Sequence, residues 1–375
     1  MNKLGKGKNK LNNKKVKIVP VIVCLAMVAA ALAVVPVSAN DIQPVDLTAW
    51  TAESYPAVSG FYPGVWTVSG DHTSVFQSIN GQPTLFYSDF NAFNTQVQGK
   101  ILVTGDDDDY VGFALGFQPE DSTDPGADYL LVDWKRGNQG FDFGTPSCGP
   151  GTTADAGLAV SRVTGIPIAD EFWGHVDQNV WCSPEGDGLD ELARATNLGS
   201  TGWEIGTEYV FTFEFTETFL NVYVDGTLEI AITGEFNNGR LAFYNFSQAE
   251  VTYSGFTAIP LVQIDIKPGS YPNSINLGSN GVVPVAILTT PDFDAATIDP
   301  ATVTLAGADV RVKGKSGNAG SLEDVDGDGD LDLVVQVYTD ALELSAGDTE
   351  AVLIAYTYSG LQITGSDTIR IVPPE

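Results

Sequence analysis

An acidic run of nine residues is the strongest chemical signal in the chain. It begins at Asp324, ends at Asp332 and reads Asp-Val-Asp-Gly-Asp-Gly-Asp-Leu-Asp. Carboxylates this close repel one another, and a Ca²⁺ ion, which prefers oxygen ligands, removes that repulsion. Glycine at the sixth position allows the sharp turn that such a loop needs. The spacing predicts a calcium site with ligands Asp324, Asp326, Asp328, Asp330 and Asp332, in which Asp330 binds through its backbone carbonyl.

The run follows only part of the EF-hand pattern, whose last position is a bidentate Glu. Here that position holds Val335, and the residues after Asp332 are apolar and β-branched, which predicts a strand. We therefore expect a loop between two strands. Its D-x-D-x-D-G-x-x-D spacing resembles the calcium loops of integrin propellers and thrombospondin type 3 repeats. A solvated acidic turn without an ion is the alternative.

A second acidic run, Asp106–Asp109, precedes an apolar strand pattern that contains small residues at alternate positions. Adjacent carboxylates at the start of a strand need either a counter-ion or full solvation. Together with a neighbouring strand pattern over 128–136, this run resembles the C-terminal lectin-like domain of thrombospondins and cartilage oligomeric matrix protein. The resemblance extends from about 66 to 256. Its other motifs are Ala92–Asn94, Gly157–Val160, Gly202–Trp203 and Gly239–Gln248.

That resemblance implies a legume-lectin-like jelly roll with calcium ions at one edge. It implies calcium ligands at Asp106, Asp107, Asp108 and Asp109, with Asp133 as a weaker candidate. The chain departs from the family in two respects. Its repeat-like calcium loop follows this domain instead of preceding it, and no Arg-Gly-Asp sequence occurs. We therefore do not carry the family's receptor binding over to this chain.

The remainder of the chain resembles a domain found at the end of many prokaryotic secreted proteins. The residues that carry this second resemblance are 264–276, 281–288 and the acidic loop itself. It implies a calcium-stabilised β module whose function is poorly defined.

Short alternating runs of β-branched and aromatic residues, separated by turn residues, extend along the whole chain. Thr207–Thr216 alternates as a half-buried strand does, and Leu220–Ile230 predicts a hairpin around an Asp-Gly turn. A short helix is predicted only at Gly188–Thr196. We expect an all-β protein, with a concanavalin-like jelly-roll sandwich at 40–258 followed by a smaller β-sandwich domain at 261–375.

The N-terminus has the features of a secretory signal peptide. Seven lysines before residue 18 are followed by an apolar stretch from Ile18 to Val37 and by the cleavage signature Val37-Ser-Ala39. We expect removal of residues 1–39, which would leave no membrane insertion. Retention as an anchor is the alternative, because the apolar stretch is long enough to span a bilayer. The protein is thus predicted to be secreted or held at the cell surface.

Net charge and cysteine content limit which classes of partner and which cellular compartment suit this chain. The formal net charge is −30, and loss of the seven signal-peptide lysines leaves 11 of the 18 basic residues against 48 acidic ones. Such a chain excludes nucleic acid as a partner, because phosphate binding needs a basic face. Cys148 and Cys182 lie in Gly/Pro-rich surroundings, and an oxidising compartment favours a disulfide between them. Free thiols are the alternative.

The sequence offers little for catalysis. Only two histidines occur, and the nearest match to a glycoside hydrolase motif, Glu185–Asp190, lies in a Gly-rich loop and ends in Asp. Tyr55, Trp173 and Trp181 are candidates for stacking on sugar rings. We predict a noncatalytic extracellular calcium-binding protein that adheres to a surface or matrix protein or glycan. A calcium-dependent lectin is the main alternative, and a glycoside hydrolase is the least favoured.

Overall fold

Strands form nearly all of the regular structure in this computed structural model, which describes residues 44–56, 60–144, 151–177, 188–314 and 319–372. The strands as far as 260 are β1 Thr51–Ser54, β2 Trp66–Val68, β3 Ser74–Gln77, β4 Thr84–Asn91, β5 Thr95–Val103, β6 Tyr110–Phe117, β7 Asp128–Lys135, β8 Gln139–Phe141, β9 Thr152–Ala154, β10 Gly157–Thr164, β11 Gly188–Arg194, β12 Glu208–Phe215, β13 Phe219–Val224, β14 Thr227–Thr233, β15 Arg240–Phe246 and β16 Val251–Pro260. Those after 260 are β17 Ile264–Ile266, β18 Ser274–Asn276, β19 Val282–Ile287, β20 Thr304–Leu305, β21 Ala308–Asp309, β22 Gly320–Glu323, β23 Asp332–Tyr338, β24 Glu350–Tyr356, β25 Gln362–Thr368 and β26 Arg370–Val372.

Helices are few and short among the described residues. The single α-helix, α1, comprises Ala169–Gly174, and no described helix is both long and apolar enough to cross a membrane. The 3-10 turns are Leu47–Ala49, Ala295–Thr297, Pro300–Thr302 and Thr339–Ala341.

Two seven-stranded antiparallel sheets form the jelly-roll sandwich. One has the order β1-β4-β15-β6-β7-β10-β11 and the other the order β14-β13-β12-β5-β16-β3-β2. Their facing sides bury an aromatic core. In that core the Phe113 and Phe213 rings lie 4.8 Å apart, and the Phe243 ring stacks on Tyr253 at 4.5 Å. Apolar residues at alternate strand positions supply this core, as a two-sheet architecture requires.

The first of these sheets is also covered on its other side. Trp173 and Phe172 of α1 pack there against Tyr110 and Tyr244, together with Phe143. Strand β6 is therefore buried at every position. Burial on both faces explains why its sequence is continuously apolar instead of alternating.

The smaller β-sandwich follows β16. Its four-stranded sheets have the orders β17-β19-β23-β22 and β21-β20-β24-β25, and β18 pairs with β26 in parallel. Both four-stranded sheets contribute to one apolar cluster, in which Val335 of β23 and Leu353 of β24 are almost fully buried. The all-β prediction and its two sandwiches are confirmed.

Local predictions had mixed outcomes. The alternating segment forms β12, and the predicted hairpin forms as β13 and β14 around Asp225 and Gly226. The helix predicted at Gly188–Thr196 is wrong, because Gly188–Arg194 is strand β11, which pairs with β10 at the sheet edge. Of the sugar-stacking candidates, Tyr55 and Trp173 are core residues. The signal peptide, Trp181, Cys148 and Cys182 lie outside the described residues.

Candidate metal centres

The first acidic run connects β5 to β6, where β6 begins its path through the core. Asp107, Asp108 and Asp109 each place a carboxylate oxygen within 4.8 Å of the other two, whereas Asp106 is exposed and lies outside this group. Asn80 Nδ2 donates to Asp107 Oδ2. The group becomes more buried toward β6, since Asp109 is only 3% exposed.

A buried lysine neutralises part of this cluster. Lys135, the last residue of β7, is fully buried, and its Nζ lies 2.7 Å from Asp109 Oδ1 and 2.7 Å from the Asp108 carbonyl oxygen. The ammonium also lies 4.8 Å from the centre of the Trp173 ring. A lysine is buried at acceptable cost only when it is paired in this way.

The backbone of the run is fixed as well. The Asp109 N–H donates to Gln248 Oε1 at 3.1 Å, and Trp203 Nε1 donates to the Asp109 carbonyl at 3.1 Å. Burial raises the pKa of Asp109 to about 6, although the hydrogen bond and charge of Lys135 act in the opposite direction. The Asp109 carboxylate and backbone are thus held in place by neighbouring protein groups.

The negative charge that Lys135 leaves uncompensated in the first cluster suits a calcium ion. Three carboxylates and one ammonium leave a net charge of −2 when the acids are ionised, and oxygen donors are those that Ca²⁺ prefers. Asp107 and Asp108 are half-buried, so their side chains are accessible to an ion from solvent. The donor chemistry therefore fits a divalent cation held mainly by these two residues.

Asp133 does not join the first cluster. It lies in β7 with no exposed surface, and His175 Nε2 contacts its Oδ2 at 3.1 Å. His175 Nδ1 contacts Glu191 Oε2 at 3.2 Å, and Arg194 in turn donates to Glu191. Burial lowers the pKa of His175, but the two carboxylates outweigh it and raise the pKa to about 9. Burial also raises the pKa of Asp133.

The second acidic run forms the connection of the β22–β23 hairpin, as the sequence predicts. Asp324, Asp326 and Asp332 place one carboxylate oxygen each within 4.8 Å of one another. Asp332 is fully buried, and its two oxygens accept hydrogen bonds from the Thr289 and Val325 N–H groups at 2.9 Å. This carboxylate fixes one end of the loop.

The rest of the loop is exposed and held by short-range turns. The Gly327 N–H donates to Asp324 Oδ1, and Gly327 and Gly329 have φ values of +83° and +100°. These left-handed conformations favour glycine. Asp328 and Asp330 lie outside the converging group, and Asp328 Oδ1 accepts the Asp330 N–H at 2.8 Å. Carboxylates on glycine turns, with no described cation against them, fit an oxygen-ligated Ca²⁺.

Comparison with known protein families identifies the family to which the larger sandwich belongs. The thrombospondin C-terminal region family matches residues 62–259, which is more than half of the chain. The chain belongs to that family. The thrombospondin match leaves out β1, begins shortly before β2 and ends within β16. It includes the first acidic cluster, whereas the second acidic loop lies outside it.

Among curated relatives, thrombospondin-4 of Bos taurus and of Mus musculus are each 25% identical to this chain over 200 residues. Each match covers 50% of this chain and only 19% of the relative's length. Solved structures that match part of this chain include the carbohydrate-binding module CBM66 from Bacillus subtilis, at 9% identity with a TM-score of 0.35 over 54% of this chain and 98% of that one. The exoplasmic/lumenal domain of VIP36, in a Ca²⁺/Man3GlcNAc-bound form, has 12% identity and a TM-score of 0.34 over 59% of this chain and 87% of that one.

Sequence reasoning missed the basic partner inside the thrombospondin-like sandwich. Lys135 follows a strand pattern of apolar residues, and a lysine at such a strand end is usually exposed. A signal was present, because β7 was predicted as the neighbour of the strand that begins after Asp109. In the structure, Val111 pairs with Trp134, and this register brings Lys135 beside Asp109.

Proposed function

We propose that this protein is a noncatalytic extracellular calcium-binding protein that acts in adhesion or in surface and matrix interaction. The observation that carries the proposal is the convergence of three carboxylates in the β22–β23 loop, on a backbone that glycines hold in left-handed conformations. Repulsion among these carboxylates opposes the converged loop unless a cation lies among them. Calcium is then a structural ligand whose binding free energy adds to the stability of the fold.

Two sets of residues would hold the ions. In the second loop these are Asp324, Asp326 and Asp332, joined by Asp328 and by the Asp330 carbonyl if the loop closes around the ion. In the first cluster they are Asp107 and Asp108, with Asp109 shared with Lys135. We do not extend the proposal to Asp106, which is exposed outside the cluster, or to Asp133, which His175 engages. In both sets calcium supplies charge neutralisation and rigidity and takes part in no reaction.

We further propose that the mature chain comprises two domains, at 40–258 and 261–375. The apolar clusters support this division, because those of the larger sandwich end at Phe256 and that of the smaller one begins at Val262. We also retain the secreted location, the removal of residues 1–39 and the Cys148–Cys182 disulfide as proposals.

The partner is proposed to be a surface or matrix protein or a glycan. Membership of the thrombospondin C-terminal family supports an extracellular adhesive role, although the matched segment is a small part of each whole relative. A calcium-dependent lectin is the alternative. It would need aromatic residues other than Tyr55 and Trp173, because these two are buried in the core.

A calorimetric calcium titration of residues 40–375 tests the proposal, with binding to matrix proteins and a glycan panel measured in calcium and in EGTA. We expect saturable calcium binding that Asp326→Asn weakens and that the exposed control Asp340→Asn leaves unchanged. We also expect partner binding that is lost in EGTA. Absence of calcium binding, or partner binding indifferent to EGTA, would contradict the calcium-dependent adhesive role. Release of reducing sugar from a polysaccharide would contradict the noncatalytic one.

A further inference from the structure

An open groove of about 390 Å³ lies on the smaller sandwich, away from both acidic clusters in the sequence. It lies where β17, the 269–273 turn and the end of β25 meet. The residues that line it include Asp265, Ser270, Tyr271, Asn273, Asp367 and Thr368. The groove is a surface feature open to solvent and not an enclosed pocket.

The charged groups on this groove are all acidic. Asp265 and Asp367 both line it, and burial together with the charge of Asp367 raises the pKa of Asp265. None of the described residues that line it is basic, and nearby Lys267 donates instead to the Ser274 carbonyl at 2.6 Å. A positive group in the groove would relieve the repulsion between the two carboxylates.

One polar group on the groove lacks a partner. Asn273 is 5% exposed, and its Nδ2 donates to Asp367 Oδ2 at 2.9 Å and to the Thr368 carbonyl at 3.0 Å. These two bonds fix the orientation of the amide, and they leave the buried Oδ1 with no partner among the described residues. A buried acceptor without a donor costs free energy, which a donor on a ligand would recover.

Tyr271 provides an apolar surface at the same place. Its side chain is 91% exposed, the most exposed of the large hydrophobic residues in the described part of the chain. An aromatic ring beside carboxylates attracts cations to its face and offers a surface for a methylene chain.

We propose that this groove binds the cationic side chain of an arginine or lysine on a partner protein. The charged head would lie between the Asp265 and Asp367 carboxylates, donating toward the Asn273 acceptor, while its stem packs on Tyr271. A net charge of −30 favours a basic partner surface over an acidic one.

A bare metal ion fits the groove less well than an organic cation. Asp367 Oδ2 already accepts the Ile266 N–H at 2.8 Å as well as the Asn273 amide, and Oδ1 accepts the Thr368 N–H at 2.7 Å. This carboxylate is fixed by the fold and cannot turn to complete the coordination shell of a metal ion, although its charge still attracts a cation. The exposed aromatic ring also has no role in binding a small inorganic ion.

Ligand-observed NMR on residues 40–375 tests the proposal, with N-acetyl-arginine methylamide and N-acetyl-lysine methylamide as probes. N-acetyl-citrulline methylamide is the neutral counterpart of the first probe. The titrations are run in EGTA, so that failure of the calcium proposal does not affect the result. We expect weak, saturable binding of both cations and at least about tenfold weaker binding of citrulline, since the charge is what the carboxylates recognise.

Two variants and their controls locate the binding. Tyr271→Ala should weaken arginine binding about threefold and Asp265→Asn about fivefold, as expected for exposed cation–π and charge contacts. Both positions lie outside the core, so the fold should persist. Exposed Tyr358→Ala and Asp340→Asn should have no effect. Equal binding of citrulline or indifference to both groove variants would overturn the proposal. Displacement of the probe from the groove by a neutral saccharide, or by CaCl₂ added in excess over EGTA, would also overturn it.

Discussion

Neighbouring carboxylates repel one another in both acidic clusters, but the surroundings of these carboxylates differ between the two. In the first, buried Lys135 lies between Asp108 and Asp109, and core side chains hold the backbone. In the second, glycine turns carry exposed aspartates with no described ion pair to any of them, and only Asp332 is buried. The first cluster therefore has an internal counter-ion, whereas the second has none among the described residues, and we propose that it takes one from solution.

The glycines differ in the same way. At Gly105, before the first cluster, an added Cβ would lie 2.5 Å from the Ala249 carbonyl oxygen, so packing requires glycine. At Gly329 an added Cβ would meet nothing within 4 Å, and the positive φ alone requires it. Packing therefore fixes the backbone at the first cluster, whereas local conformation fixes it at the second.

Removal of the internal counter-ion should have the largest effect. Lys135→Met leaves Asp109 buried without its partner, and we expect a loss of about 3 to 5 kcal/mol in the free energy of unfolding. Denaturant titration in EGTA measures it. Lys100→Met is the matched control, because Lys100 pairs with Glu208 at 2.7 Å on the surface and should cost under about 1 kcal/mol.

A double variant separates the effect of the unpaired charge from the effect of lost packing. The double variant Lys135→Met/Asp109→Asn removes both members of the pair and should recover much of the lost stability, since no unpaired charge stays buried. If Lys135→Met lowers the free energy of unfolding as little as Lys100→Met does, Lys135 is not an essential counter-ion, and the contrast between the two clusters is wrong.

The sequence predicted the two acidic loops and several strands because these depend on local signals. Spacing of aspartates, alternation and Asp-Gly turns act over a few residues, and they gave β12, the β13–β14 hairpin and the β22–β23 loop. The composition of Gly188–Thr196 favours a helix, but pairing with β10 makes it a strand. Tertiary pairing overrides a weak local preference.

The buried charge pairs between neighbouring elements were not predicted from the sequence. The Lys135–Asp109 pair depends on the β6–β7 register, and the Asp133–His175 pair depends on where the segment around α1 packs on the sheet. Both involve burial of a charged group, which sequence patterns assign to the surface by default. Positions of this kind require the packed structure.

The larger sandwich contains a second buried charge pair, Asp133–His175, which makes its stability depend on pH. The folded-state pKa of His175 is about 9, above the value of about 6.5 for an unfolded chain. Protonation therefore stabilises the fold in full below about pH 6.5, and this contribution is lost as the pH rises to about 9. This shift in the pKa of His175 corresponds to about 3 kcal/mol in the free energy of unfolding.

Denaturant titrations across this pH range measure the effect. His175→Asn should flatten the decline in unfolding free energy, whereas His72→Asn should leave it unchanged. His72 is a close control because it also has a positive φ but lies on the surface, 3.7 Å from Asp46. Equal declines in the wild type and in His175→Asn would show that the buried pair does not bind its proton more tightly in the folded state.

Calcium should act mainly on the second cluster. At a calcium concentration about one hundred times the Kd, binding adds about 2.7 kcal/mol to the free energy of unfolding. Asp326→Asn should lose most of this gain and change stability by under about 0.5 kcal/mol in EGTA, because Asn retains the Oδ1 acceptor for the Asp328 N–H. Asp107→Asn should reduce the gain less, since Lys135 already compensates its cluster. Equal losses from the two variants would remove the distinction between the clusters.

The smallest effect should come from the loop backbone. Gly329→Ala meets no steric obstacle, so its cost is that of a left-handed conformation, about 1 kcal/mol. Gly347→Ala is the matched control, because it is equally unobstructed and has no positive φ. In calcium the cost of Gly329→Ala should persist only if the bound loop keeps the same turn. A cost seen in EGTA but absent in calcium would mean that the ion selects a different loop conformation, in which Asp328 joins the ligands.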